Sequence, residues 1–135
     1  GAMAINITIW NNIDKLSKHY TIIHIVGKNN INKDINVIDY HQIEFAQDIE
    51  NYFSLADIVI SRAGSNTIFE LLSIHKPMIL IPLPKTSHSR GDQIDNAKYF
   101  LENKLAFTIY QEDLSSEIII QTINLLEFYR SYSSS

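Results

Sequence analysis

Five short apolar runs punctuate the chain: TIIHIVG from Thr21, QIEF from Gln42, DIVIS from Asp57, MILIP from Met78 and AFTIY from Ala106. Each is rich in β-branched or aromatic residues and too short for a helix, so each predicts a strand. TIIHIVG is nearly continuous in apolar character, as a parallel strand covered on both faces would be, and Gly27 closes it. Ile5, Ile9, Ile13 and Leu16 recur at helical spacing and predict an opening helix that ends near Tyr20. A polar loop, KNNINKDIN, precedes QIEF, and helical stretches follow near Asp48 to Leu55, after Ser65, near Asp92 to Asn103 and from about Ser116. Strands alternating with helices of this length indicate an α/β fold, a Rossmann-like doubly wound parallel sheet.

The 135 residues, 45% of them hydrophobic, are enough for one domain with a single core. A sheet of this kind usually begins with a strand whose loop presents glycines to a phosphate at a helix N-terminus. Here the first predicted element is a helix, so the chain reads as lacking that first strand. A strand edge left open in this way predicts self-association. Gly1 to Met3 reads as a cloning remnant, and the terminal SYSSS, residues 131–135, as a frayed tail.

Composition removes several classes of function. The formal net charge is -4, with Lys and Arg scattered singly, which leaves no basic stripe for a nucleic acid. Zero cysteines exclude disulfides, thiolate metal sites and cysteine nucleophiles. Nothing at the N-terminus has the order of a signal peptide, and no apolar run approaches the roughly 20 residues that span a bilayer, so the chain reads as cytosolic. His19, His24, His41, His75 and His88 show no metal-ligand spacing, and there is no Asp-x-Asp pair; no metal and no cofactor are expected. VGKNN is not a phosphate-binding P-loop, because Ile22 stands where the earlier glycine belongs and no Ser or Thr follows Lys28. Nucleophile-elbow and dinucleotide fingerprints are also absent.

Open α/β sheets bind ligands beyond the carboxyl ends of their strands. After DIVIS comes Arg62-Ala63-Gly64-Ser65, where Gly64 permits close approach and Ser65 is a good N-cap beside free N–H groups. Glu70 follows five residues later among Ile68, Phe69, Leu71 and Leu72. A carboxylate there can accept two hydrogen bonds side by side, which suits a ribose diol; equally, it can reach solvent at the rim of an amphipathic helix. After MILIP, Asp92 and Asp95 read as helix initiation. Gln93 and Asn96 share a face near that helix start, and their carboxamides suit sugar hydroxyls.

Two stretches, ADIVISRAGSNTIFELLSIHKPMILIPLP and SRGDQIDNAKYF, resemble the C-terminal, nucleotide-sugar-binding domain of the MurG glycosyltransferases. The resemblance runs from about Ala4 to Leu126 and implies a two-domain GT-B enzyme. In such an enzyme the C-terminal half holds UDP-N-acetylglucosamine, while the N-terminal half supplies the lipid-linked muramyl-pentapeptide acceptor site and the base. It implies that the backbone at Ala46 holds the uracil edge, and that the helix N-terminus at Ser65, Asn66 and Thr67 faces the diphosphate and sugar, beside the Gly64 that permits close approach. Glu70 would take the ribose hydroxyls, and Gln93 with Asn96 the N-acetylglucosamine hydroxyls.

The same resemblance implies an inverting transfer at the cytoplasmic membrane face, with no catalytic residue in this chain. The family's opening Gly-Gly-Ser-x-Gly-Ala loop is not present here. An alternative is a stand-alone nucleotide-sugar-binding subunit that needs a separate acceptor-binding chain. A receiver-like signalling domain would require an acidic cluster at strand ends, which the sequence does not have.

Overall fold

The computed structural model describes residues 3–86 and 90–133. Gly1 and Ala2, His88, and the last two residues of the SYSSS tail lie outside them. In chain order the elements are α1 Met3–Asn11, α2 Ile13–Ser17, β1 Ile22–Ile25, β2 Tyr40–Ile43, α3 Ile49–Leu55, β3 Val59–Ser61, α4 Ser65–Ser73, β4 Met78–Leu80, α5 Asp92–Glu102, β5 Phe107–Thr108, a 3-10 turn at Gln111–Asp113 and α6 Ser116–Ser133. The chain divides into two compact units, Gly1–Ile49 and Glu50–Ser135.

In the first unit β1 and β2 pair in parallel, Ile22 opposite Tyr40 and Ile25 opposite Ile43. The predicted opening helix is two helices, because Asn12 at φ -122 and ψ 16 leaves the helical region between them. Ile9, Ile13 and Leu16 are buried as their spacing requires. Two strand expectations need correction. Ile23 is 45% exposed, so β1 is not covered on both faces, and β2 begins two residues before QIEF, leaving Phe45 outside it and 67% exposed.

A polar chain runs through this unit. The Asn6 amide donates to the Val26 carbonyl at 2.8 Å, so its oxygen faces His24 Nε2, also at 2.8 Å, and Nε2 must carry the proton. Nδ1 then accepts from the Tyr40 hydroxyl at 2.6 Å. The Asn6 amide, both His24 ring nitrogens and the Tyr40 hydroxyl are thereby all paired in the neutral state of His24. Burial pushes His24 from 6.5 down to about 4 and Tyr40 up to about 12.

In the second unit β3, β4 and β5 form a parallel sheet in that order, Val59 opposite Met78 and Ile79 opposite Phe107. The central strand is the most apolar: Ile79, Leu80 and the following Ile81 are fully buried, as a strand covered on both faces demands. Ile68 and Leu71 from α4, Ala97 and Phe100 from α5, and Ile119 and Ile123 from α6 are also buried, each pair three or four residues apart on one helix face.

The helix boundaries have local causes. The Ser115 hydroxyl accepts from the Ile118 N–H at 3.1 Å and starts α6. α4 and α5 end with His75 and Lys104 at φ 53 and 59, and the bonds Lys76 N–H to Leu71 O and Leu105 N–H to Phe100 O complete a Schellman closure at each. Asp92 is the first residue of α5, not its cap; Gly91 at φ 81 takes that place, since a left-handed backbone suits glycine.

The His24 chain generates a test with a definite sign. Because the folded pKa of about 4 lies below the ordinary 6.5, the unfolded state binds more protons in between, and stability contributed by neutral His24 is lost as pH falls from 6.5 towards 4. Urea unfolding at several pH values should show the parent losing stability over that window while His24→Gln, weaker throughout, shows a flatter profile. Parallel profiles for the two proteins would contradict the assignment.

Candidate functional site at the mouth of α4

β3 ends at Ser61, and three residues later the chain turns into α4. Gly64 is the N-cap, extended at φ -71 and ψ 143, and it offers no side chain to cap the helix. The expectation that Ser65 caps α4 is therefore corrected: Ser65 is its first helical residue. The first intrahelical bond runs from Ile68 N–H to Gly64 O at 3.1 Å, so the N–H groups of Ser65, Asn66 and Thr67 have no acceptor within the helix. Ser65 and Asn66 are exposed and Thr67 half-buried. With the positive end of the helix dipole added, this mouth favours an anionic or strongly polar ligand.

α5 supplies the opposite wall. A Cβ placed on Gly64 would lie 4.0 Å from Gln93 Nε2, so the Gln93 amide stands directly over the cap. Its oxygen accepts from the Leu83 N–H at 2.9 Å, while its N–H groups have no partner among the described residues. Asn96 donates to the Ala63 carbonyl at 3.0 Å and keeps its oxygen as an acceptor. Each carboxamide thus spends one half on the scaffold, while its other half has no partner among the described residues.

Glu70 is half-buried, and among the described residues its carboxylate has no hydrogen-bond partner. It shares a helix face with Asn66 and Thr67, four and three residues back, and stands on the same side as the exposed part of the mouth. The residue out of place in the helix is instead Phe69, which is 68% exposed. Ala46 lies in the other unit, half-buried in the loop between β2 and α3. The structure therefore brings together Gly64, Ser65, Asn66, Thr67, Gln93 and Asn96, with Glu70 one turn further along α4.

Arg62 belongs to the framework of the site, a role that sequence reasoning did not assign. Its guanidinium donates to the carbonyls of Ile81 and Pro82, each at 3.3 Å, and to Gln111 Oε1 at 2.7 Å. It ties the ends of β3 and β4 to the turn after β5. Burial lowers its pKa, yet a guanidinium remains charged at neutral pH. Among the described residues no three His, Asp or Glu side chains stand close enough together to hold a metal ion, and no helix is long and apolar enough to cross a membrane.

Comparison with known proteins gives this geometry a context. The chain is 44% identical over 128 residues to the UDP-N-acetylglucosamine--N-acetylmuramyl-(pentapeptide) pyrophosphoryl-undecaprenol N-acetylglucosamine transferase of Clostridium tetani, matching 93% of this chain and 36% of that protein. It is 40% identical over 132 residues to the protein of the same name from Staphylococcus aureus strain MRSA252, matching 97% of this chain and 37% of the relative. The chain thus spans just over a third of the length of these relatives. The crystal structure of Acinetobacter baumannii MurG superimposes on 93% of this chain and 37% of its own, with a TM-score of 0.75 at 24% identity, which shows a common fold. The model of the glycosyltransferase family 28 C-terminal domain matches residues 1–133, and the chain belongs to that family.

Proposed function

We propose that the mouth of α4 binds the diphosphate and sugar of UDP-N-acetylglucosamine, and that this chain is the donor-binding part of an N-acetylglucosaminyltransferase. The acceptor in this reading is the lipid-linked muramyl-pentapeptide precursor of peptidoglycan, met at the cytoplasmic face of the membrane and held by a part of the enzyme outside this chain. The observation that carries the proposal is the Gln93 amide poised over an uncapped Gly64, with three free N–H groups beneath it. Relatives at 40 and 44% identity whose names specify this reaction support it.

The chemistry follows from what these groups can do. In an inverting displacement the acceptor hydroxyl attacks the anomeric carbon as UDP departs, so negative charge grows on the leaving diphosphate. Fixed N–H donors at a helix N-terminus stabilise that charge without reorganising. The Gln93 N–H groups and the Asn96 oxygen offer a donor and an acceptor to sugar hydroxyls, which fixes the anomeric carbon in line for attack. Glu70 is assigned to the ribose diol. No residue of this chain is assigned the role of base.

Glu70→Gln keeps the size of the side chain but exchanges one acceptor oxygen for a donor, so one of two charge-assisted bonds to the ribose is lost. Such a bond is worth about 1.5 to 3 kcal/mol, so donor affinity in titration calorimetry should fall by roughly tenfold or more with the fold intact. Equal affinities for parent and variant would sink the ribose assignment, and an absence of donor binding in the parent would remove the whole reading.

Gly64→Ala tests the mouth from the other side. The backbone of Gly64 is in a region open to any residue and the nearest atom to the added methyl is 4.0 Å away, so unfolding free energy should change by less than about 1 kcal/mol. The methyl group would nevertheless project between Gln93 and the incoming ligand. UDP-N-acetylglucosamine affinity should fall severalfold; an unchanged value would place the ligand elsewhere.

A further inference from the structure

Arg62 stands two residues before Gly64, so whatever holds its guanidinium acts on the strand end from which the mouth of α4 opens. Its bonds to the carbonyls of Ile81 and Pro82 are both made by Nη1 at 3.3 Å, just beyond the usual range, and one shared nitrogen does not fix the orientation of the group. The bond from Nη2 to Gln111 Oε1 is short, at 2.7 Å, and charge-assisted. Gln111 therefore supplies the firmer of these holds on the guanidinium.

Gln111 is itself anchored. It opens the 3-10 turn Gln111–Asp113, which is closed by the Asp113 N–H to the Tyr110 carbonyl at 2.9 Å and the Leu114 N–H to the Gln111 carbonyl at 3.2 Å. Just before it, the Ile109 N–H donates to the Leu80 carbonyl at 2.9 Å and ties the turn to the end of β4. From Gln111 the effect reaches the mouth through one peptide group. Arg62 bonds the carbonyl of Pro82, and the N–H on the other side of that peptide, which belongs to Leu83, is held by Gln93 Oε1 at 2.9 Å. A peptide unit is planar, so a tilt at its carbonyl is passed to its N–H and on to the amide that stands over Gly64. The Arg62 backbone leads to the same glycine directly, so a shift of Arg62 moves both walls of the mouth.

We propose that Gln111 is a positioning residue: it touches no ligand, and through Arg62 it sets the Gln93 amide and the Gly64 cap at the spacing that the donor requires. The proposal rests on the donor-site reading for the identity of that ligand. Glu112, the next residue of the same turn, is exposed and makes no such bond, which suits it as a control.

The test uses the whole chain, isotopically labelled, with UDP-N-acetylglucosamine as the probe and three variants, each checked for a dispersed amide spectrum. Gln111→Met keeps the length of the side chain and removes the acceptor. The amide signals of Gly64, Leu83 and the Gln93 side chain should then move, and donor affinity should fall by about fivefold or more, since binding groups held loosely lose affinity even when all are present. Gln111→Glu keeps an acceptor for Arg62 but has no N–H to offer a ligand, so affinity should stay within about twofold of the parent. Glu112→Gln should match the parent.

A loss with Gln111→Glu as large as that with Gln111→Met would overturn the proposal, because it would put the Gln111 amide in contact with the ligand. Unmoved signals at Gly64, Leu83 and Gln93 in Gln111→Met would overturn it too. The same holds for a Gln111→Met protein that melts at a lower temperature yet binds the donor as tightly as the parent, which is how a residue that only stabilises behaves. A parent that binds no UDP-N-acetylglucosamine would remove the donor reading, and the amide signals of Gln111→Met would still decide whether Gln111 positions the mouth.

Discussion

Two carboxamides on α5 hold the carboxyl ends of β3 and β4 where they are, and the geometry of the α4 mouth depends on them. Asn96 fixes the Ala63 carbonyl, the last peptide before the cap of α4, and Gln93 fixes the Leu83 N–H just beyond β4. Arg62 adds a third tie through Ile81, Pro82 and Gln111. Loops at strand ends have backbone groups that no ladder satisfies, and a buried group without a partner costs about 1 to 3 kcal/mol. Side chains that satisfy them set the loop conformation as well as stabilising it. The uncapped helix, the bare Gly64 and the amide above it therefore form one unit.

The first unit uses the same device in its interior. His24, Asn6 and Tyr40 form a chain in which each donor has one acceptor, and Asn6 ends it on the Val26 carbonyl next to Gly27. Gly27, at φ 97, then turns the chain away, with Asn30 donating to the same Val26 oxygen at 3.0 Å. Nearby, Gln42 accepts from the Asn32 N–H at 2.9 Å and donates to its carbonyl at 3.0 Å, which organises the polar loop between β1 and β2. In both units amide side chains fix irregular backbone, since a carboxamide can donate and accept without the desolvation cost of a charge, and in the second unit the charged Arg62 and Lys76 join them by donating to backbone carbonyls.

Much of the fold was legible because its signals are periodic. Every predicted strand has a counterpart within a few residues, and the central strand MILIP is as buried as its unbroken apolar run requires. What periodicity could not give was the behaviour of single residues. The break at Asn12, the cap at Gly91 and the exposure of Ile23 depend on local backbone geometry or tertiary cover, neither of which leaves a repeat in the sequence. The mouth of α4 was visible through Gly64, since a small residue between a strand and a helix signals close approach. Arg62 was not: its acceptors are 19, 20 and 49 residues away, and no spacing rule reaches so far.

On the donor-binding reading, the carboxamides also explain why the mouth of α4 can be stable before its ligand arrives. Catalytic and binding groups are usually a cost to the free protein, since polar atoms aimed at a ligand are unsatisfied without it. Gln93 and Asn96 lessen that conflict by dividing each side chain: one atom bonds to the scaffold and the other has no partner among the described residues, that of Gln93 standing beside Gly64, and both side chains are half-buried, where solvent can reach them. The scaffold bond fixes the rotamer, so little side-chain entropy remains to be lost on binding. A serine or lysine at either position could not do both, because neither combines a separate donor and acceptor on one planar group. The pairing of Gln93 and Asn96, a weak signal as a sequence pattern, therefore carries structural meaning: three residues apart on α5, they reach the ends of two adjacent strands while each keeps one atom free.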